Sequence, residues 1–195
     1  MKKYNILAAL LGGLLAGTSQ TASADMEDWY TYWALGFSDH TYPEPLDTLV
    51  DLTDSLPGVS RSQVAIDILG FYWPVKDQKT IAGFVISGSG DRLEANGDYV
   101  QINQNLYGGS VMHYFGQEVG DGFFLRGDLG FAKASVSNNY GYSATSDTGS
   151  GLLLGVGYAI PVSAESRILF TLTTSTNNIE GDTYSTTAFR VGGLW

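Results

Sequence analysis

The chain ends on TTAFRVGGLW, residues 186–195. Soluble domains generally finish in a few polar, loosely held residues. This one stops on Trp195, with Phe189 and Val191 on the tryptophan's side of an extended chain and Arg190 on the other. That alternation is the pattern of a strand, and it leaves one arginine to be placed in a segment that is otherwise apolar.

The opposite end narrows the possibilities. Lys2 and Lys3 precede an apolar run from Ile6 to Leu15, and Ala22-Ser23-Ala24 precede Asp25. A basic start, a short apolar run and a small-x-small site predict a secretory signal peptide over 1–24, cleaved to leave one domain over 25–195. The run is much shorter than the ~20 residues a membrane-spanning helix needs. The formal net charge is −10, and loss of the two lysines makes the mature chain more acidic still. Nucleic acid is therefore not an expected partner, because phosphates need a basic surface. Cysteine is absent, which excludes disulfides and thiolate metal sites. An exported domain must then be held by other means, and a fully hydrogen-bonded sheet is one. The composition agrees: aromatic residues make up 13% of the chain, charged residues only 15%, and there are 25 glycines. Such a mixture favours strands over helices.

Apolar and polar residues alternate along most of the mature chain. In SRILFTLTTST, Ile168, Phe170 and Leu172 share one face and Leu169, Thr171 and Thr173 the other. In GSGLLLGVGYAIPV, Leu152, Leu154, Val156, Tyr158 and Ile160 oppose Leu153, Gly155, Gly157 and Ala159. In YVQINQNLYGGSVMHY, Val100, Ile102, Leu106 and Met112 oppose Gln101, Asn103, Asn105, Tyr107 and His113. The amides of this last segment predict that their face looks away from lipid.

Eight such segments fall near 29–40, 63–74, 80–91, 98–115, 122–136, 149–162, 166–177 and 184–195. Short connections at 75–79, 116–121 and 163–165 alternate with longer ones at 41–62, 92–97, 137–148 and 178–183. Short turns at one end and longer loops at the other predict an all-β fold, an eight-stranded antiparallel up-and-down transmembrane barrel. Trp29, Trp33, Tyr72, Trp73, Tyr114, Phe115, Phe123, Tyr158 and Trp195 gather near the short-turn end, as an interfacial aromatic girdle would. A soluble barrel would instead hide its apolar face and show its polar one.

A signal peptide, eight alternating segments, short turns and a terminal aromatic strand together resemble the small outer-membrane barrels of the OmpA/OmpX type. The resemblance is one of architecture over 25–195. It implies residence in the outer membrane of a Gram-negative bacterium, among lipids and lipopolysaccharide. It also implies that Phe189, Val191 and Trp195 form the signal read by the barrel-assembly machinery. Gly193 departs from that pattern, and the family's usual last residue is Phe. The first and last strands must then pair to remove both open edges.

Arg190, one residue out of phase with Trp195, is predicted to point inward, because facing lipid would cost about 2–4 kcal/mol. Asp67, Arg126 and Asp128 are the other charges deep in strand segments. The four are expected to form an interior ion-pair network, two of each sign, with Arg190 and Asp128 as partners. Asp67 shares its parity with Leu69, Phe71 and Trp73, so a bulge near Pro74 is needed to send the acid inward and the aromatics outward.

An eight-stranded barrel is only wide enough for its own side chains. Function is then expected in the loops or on the outer wall, as a non-enzymatic envelope-structural or adhesion role. Two alternatives stand beside it: a lipid A-modifying barrel enzyme, and a small channel for hydrophobic ligands like the OmpW kind. A hydroxyl nucleophile needs a base and an orienting group, and His40 with Ser87, Ser89 and Asp91 is the available set. The lipid A deacylase's His-x-Ser-Asn motif is missing, since His113 precedes Tyr114 and Phe115. The palmitoyltransferase's adjacent Asp-Ser pair is missing too, since Asp91 precedes Arg92. No cofactor is expected, nor a metal site, since two distant histidines cannot share an ion. In the loop 41–62, Leu46, Leu49, Val50 and Thr53 have helical spacing after Pro45, with Asp47, Asp51 and Asp54 on the other side. This helix is expected to act either as a lid or as a surface for a host or envelope protein.

Overall fold

The computed structural model describes residues 29–76 and 79–195; the expected signal peptide lies outside them. Strands β1 (Tyr30–Thr41), β2 (Val59–Lys76), β3 (Thr80–Ala95), β4 (Asp98–Tyr114) and β5 (Gly122–Asn138) follow one another in an antiparallel meander. A short β6 (Ser143–Thr145) pairs only with the top of β5, and β7 (Gly149–Pro161), β8 (Arg167–Ile179) and β9 (Asp182–Leu194) complete the wall. β9 then pairs with β1 from Tyr32–Leu194 to Thr41–Ser185, closing an eight-stranded antiparallel barrel. The last residue joins the seam directly: Thr31 N–H donates to the Trp195 carbonyl at 2.6 Å, and Trp195 N–H donates back at 3.1 Å. No edge strand remains in the main wall.

The wall wears its apolar residues outside. Leu129 and Phe131 are each 68% exposed, and Phe37, Phe84, Leu154, Val156, Leu172 and Phe189 are exposed beside them. In water such a surface would be untenable for a monomer; in a bilayer it is the required one. At the short-turn end Trp33 meets Trp195 edge-on at 6.2 Å, and Phe123 meets Tyr158 at 4.9 Å. Tyr72 and Tyr114 do not join this girdle. Both turn inward and are fully buried.

The β2 parity conflict is resolved by a bulge, sited higher than the sequence suggested. The β2–β3 register shifts between Asp67 and Leu69, so Asp67 is buried while Ile68, Leu69, Phe71 and Trp73 are all exposed. A second shift lies between Pro74 and Lys76, beyond the residues in conflict.

The faces of β4 are the reverse of those expected. Ile102, Leu106 and Met112 are buried inside, and Gln101, Asn103 and Asn105 lie on the outer wall. Height explains this. The outward pair Tyr107–Phe131 is apolar, whereas the next outward pair toward the loops is Asn105–Lys133. A lysine on the hydrocarbon side would cost about 2–4 kcal/mol, so the belt ends between these two pairs and the amides stand above it.

Two connections read as longer loops, 92–97 and 178–183, are in fact tight turns. Asn96 and Gly97 have φ of 52° and 92°, and Glu180 and Gly181 have 57° and 90°, the double positive φ of a type I′ hairpin turn. β2 to β5 consequently run 16 to 18 residues, against the 9–11 or so needed to cross a membrane. These four strands rise past the others: the β1–β2 ladder stops at Phe37–Val64 and the β5–β7 ladder at Ala132–Gly149. The long first loop forms the predicted helix, α1 (Leu46–Asp54), against the inner side of this raised half.

Candidate functional site

The bore is filled in layers rather than by polar groups throughout. At the short-turn end Tyr32, Tyr72, Ile81, Met112, Tyr114, Phe124 and Leu169 pack into an apolar plug, joined by Val119 from the β4–β5 turn. β7 has glycine on its inner face here for want of space: a Cβ at Gly157 would lie 2.3 Å from Phe124 Cζ. Arg167 fastens the turns beneath. Its Nη1 donates to the carbonyls of Ser163 and Ala164 at 3.1 and 3.0 Å, and its Nη2 lies 3.3 Å from Glu118 Oε1.

Above the plug, Asp67, Arg126, Asp128 and Arg190 all point into the bore and are buried. Arg126 is the hub. Its Nη1 donates to Asp67 Oδ2 at 2.6 Å, and its Nη2 to Asp128 Oδ2 at 2.7 Å. Its Nε also donates to Asp128 at 3.0 Å, and Nη1 and Nη2 further reach Tyr32 Oη and Ser87 Oγ, each at 3.1 Å. Tyr32 donates to Asp67 at 2.9 Å, Ser87 also donates to Asp67, and Tyr72 donates to Ser110, which in turn donates to Asp128. Bidentate pairing with the remaining lone pairs filled is the arrangement in which buried charges are tolerated. Arg190 stands apart from Asp128. Its Nη1 donates to Thr173, and Asp67 is its nearest acid, with Nε 3.8 Å from Oδ2 and without a hydrogen bond there. The expected Arg190–Asp128 partnership is therefore replaced by Arg126–Asp128, because a spacing of two on β5 brings those two side chains together on one face.

A second cluster closes the mouth. Arg61 binds Asp91 through Nε at 3.0 Å and Nη2 at 2.7 Å, and Tyr42 donates to the same carboxylate at 2.9 Å. Burial, then the Asp91 charge, pushes the Tyr42 hydroxyl's pKa upward, so it stays protonated as a donor. Asp51 and Asp54 of α1 lie 3.6 and 3.8 Å from Arg61, tying the helix to the wall. Tyr42 stacks on His40 at 5.8 Å between ring centres. Arg61 escaped the sequence reading because it fell in the expected loop 41–62; the Asn96-Gly97 turn signal, which lengthens β2 and β3, would have placed it in a strand.

The candidate catalytic set does not assemble. His40 is hydrogen-bonded by Ser38 at 2.9 Å, Gln104 at 3.2 Å and Thr186 at 3.3 Å. Ser87 belongs to the Asp67–Arg126 cluster, Asp91 is held by Arg61 and Tyr42, and Ser89 stands buried without a bond to His40. Phe189, Val191 and Trp195 lie on the outer face of the closing strand.

A closed eight-stranded meander, apolar outside and filled within, is the architecture of the small outer-membrane barrels. A solved structure shows the same fold. The chain matches Neisserial surface protein A with a TM-score of 0.57 at 13% sequence identity, over 85% of this chain and 95% of that one. The attachment invasion locus protein Ail of Yersinia pestis matches with a TM-score of 0.48 at 10% identity, over 86% and 99%. OprG of Pseudomonas aeruginosa matches with 0.45 at 12% identity, over 86% and 94%. No protein-family model and no curated protein matches the sequence.

Proposed function

We propose that this is a non-enzymatic barrel of the Gram-negative outer membrane, exported by its signal peptide, whose loop-end surface makes contacts outside the cell. The observation that carries this reading is the Arg126 bolt. A guanidinium spanning the bore between Asp67 on β2 and Asp128 on β5, above an apolar plug, leaves a rigid post rather than a conduit. Above such a post stand the raised β2–β5 half and α1, and binding residues commonly sit on segments carried by a rigid scaffold. In the bilayer its neighbours are outer-membrane lipids and lipopolysaccharide, and its closing strand is offered to the barrel-assembly machinery.

Two measurements test the proposal together. Purified barrel in planar bilayers should show no lasting conductance. Cells carrying a version with 44–57 replaced by a short Gly-Ser link, which spares Tyr42 and Arg61, should lose attachment to host matrix or cells while the barrel still shows heat-modifiable migration. Steady single-channel currents would instead make it a channel.

A further inference from the structure

β2 to β5 carry an apolar inner face above the level at which the outer wall turns polar. Gln101, Asn103, Asn105 and Lys133 point outward there, so the membrane has ended. The inner face at this height therefore meets water unless something covers it. α1 covers part of it, through Leu46 and Val50 against Leu93, Ile102 and Val136. Beside the helix an open groove of about 370 Å³ remains, running between Leu49 and Thr53 of α1 and Val100 of β4, with Tyr99 and Tyr140 at its rim. Leu49 is 57% and Val100 45% exposed, and Leu52 and Leu56 extend the apolar surface along the helix.

The charge around this groove selects its occupant. Among the described residues, Arg61, Arg92 and Lys133 are the cations of the loop end. Arg61 is taken by Asp91, while Arg92 is taken by Glu94 at 3.0 Å and lies 3.8 Å over the Tyr99 ring. Lys133 points to the outer wall, away from the groove. Against them stand Glu44, Asp47 and Asp98, with Asp51 and Asp54 shared with Arg61, on a chain whose formal net charge is −10. A negative rim attracts cationic partners and repels anionic ones. Fatty acids and sulfated polysaccharides are thus disfavoured, and a bare hydrocarbon would leave the rim unused.

We infer that the groove receives a basic amphipathic segment of a partner polypeptide, its apolar stripe laid between Leu49 and Val100 and its Lys or Arg side chains turned to the acidic rim, where Asp98 lines the groove. An amphipathic helix in an apolar groove is a recurring mode of peptide recognition. The inference deepens the loop-surface reading and depends on it.

The test uses the whole barrel in nanodiscs and a fluorescent peptide of about 14 residues with Leu at helical spacing and Lys between. Its partner probe has Glu for every Lys, and empty nanodiscs give the blank. The Lys peptide should bind saturably, about tenfold more tightly than the Glu peptide, and weaken several-fold as salt rises from roughly 50 to 500 mM. The exposed changes Leu49→Ser and Val100→Ser together should weaken it about tenfold, and Asp98→Asn should reduce its salt dependence. Equal binding of both peptides, equal binding to the double-serine barrel, or displacement of the Lys peptide by dodecanoate would each overturn the inference. Attachment that depends on 44–57 in cells, with no peptide binding in nanodiscs, would sink the basic-segment inference and leave the loop-surface reading standing.

Discussion

Arg126 Nη1 lies 2.6 Å from Asp67 Oδ2 across the barrel bore, although 59 positions separate the two in sequence. β2 and β5 are not neighbours in the sheet, so this contact braces the barrel across its bore, independently of its hydrogen-bond ladders. Arg126→Ala should leave Asp67 and Asp128 buried without their shared cation, a loss of about 3–5 kcal/mol for a dry pair. Urea unfolding in lipid vesicles reads this directly. Adding Asp67→Asn and Asp128→Asn should return a large part of the loss, since the stranded charges are then gone. If the triple variant is no more stable than Arg126→Ala, the pairing carries little of the barrel's stability.

Arg190 has a weaker hold, and its coupling should reveal which acid it senses. With its Nε 3.8 Å from Asp67 and its Nη1 on Thr173, Arg190→Ala should cost less than Arg126→Ala. A double-mutant cycle of Arg190→Ala with Asp67→Asn should show coupling of about 0.5 kcal/mol or more, and the cycle with Asp128→Asn should be additive within about 0.5 kcal/mol. The reverse pattern would mean that Arg190 reaches past Arg126 to Asp128.

The bulge at Ile68 makes a sharper prediction. It is the one extra residue that gives Asp67 and Leu69 the same parity, and the bulge absorbs it so that Asp67 points in while Leu69, Phe71 and Trp73 point out. Deleting Ile68 makes Asp67 and Leu69 adjacent on opposite faces of a regular strand, and the registers with β1 and β3 close without a shift. The deletion should therefore preserve heat-modifiable migration, whereas inserting one alanine after Gly70, which exchanges the faces of Phe71 and Trp73 relative to Asp67, should abolish it. Loss of migration in the deletion variant would show that the bulge itself is needed by the wall.

These cases mark what alternation conveys. It assigned the inward side of Arg190 and the outward side of Leu154, Val156 and Phe170, because near midplane the cost of a charge in lipid fixes which face is which. Asn103 and Asn105 defeated it. Alternation separates two faces without naming the inner one, and above the belt a polar face is free to look outward. The bulge left only a parity conflict in the sequence, since a single inserted residue has no composition of its own. The Asn96-Gly97 turn was legible as a hairpin signal. Reading it as a longer loop hid the raised half of the barrel and, with it, the Arg61–Asp91 pair.

His40 offers a check on the lipid A alternative. Its ring is committed to Ser38, Gln104 and Thr186 and stacked on Tyr42, an arrangement that positions it as a filler of the upper bore. Lipid A from cells making the protein, making His40→Ala, or making neither should have the same acylation pattern by mass spectrometry. An acyl chain gained or lost in step with His40 would restore the enzyme reading.

Trp195 joins the barrel seam through both its backbone and its ring, which separates two roles that the end of β9 could play. Its backbone forms two hydrogen bonds with Thr31, and its ring packs edge-on against Trp33 at the membrane boundary. Removing the residue deletes the seam's last backbone pair together with the ring, while Trp195→Ala deletes the ring alone. If the terminal aromatic is a recognition signal for assembly, Trp195→Ala should slow insertion in cells while barely changing unfolding of the barrel once folded, and Trp195→Phe should insert like the parent. If the ring matters only for packing, the alanine variant should lose about 1 kcal/mol or more of stability, the scale of an aromatic pair plus its buried area, and insert at the normal rate. Pulse-chase protease protection and urea unfolding on the same three variants distinguish these outcomes. We expect the first pattern, because Trp195 remains 37% exposed toward the bilayer side and so has little packing energy to lose.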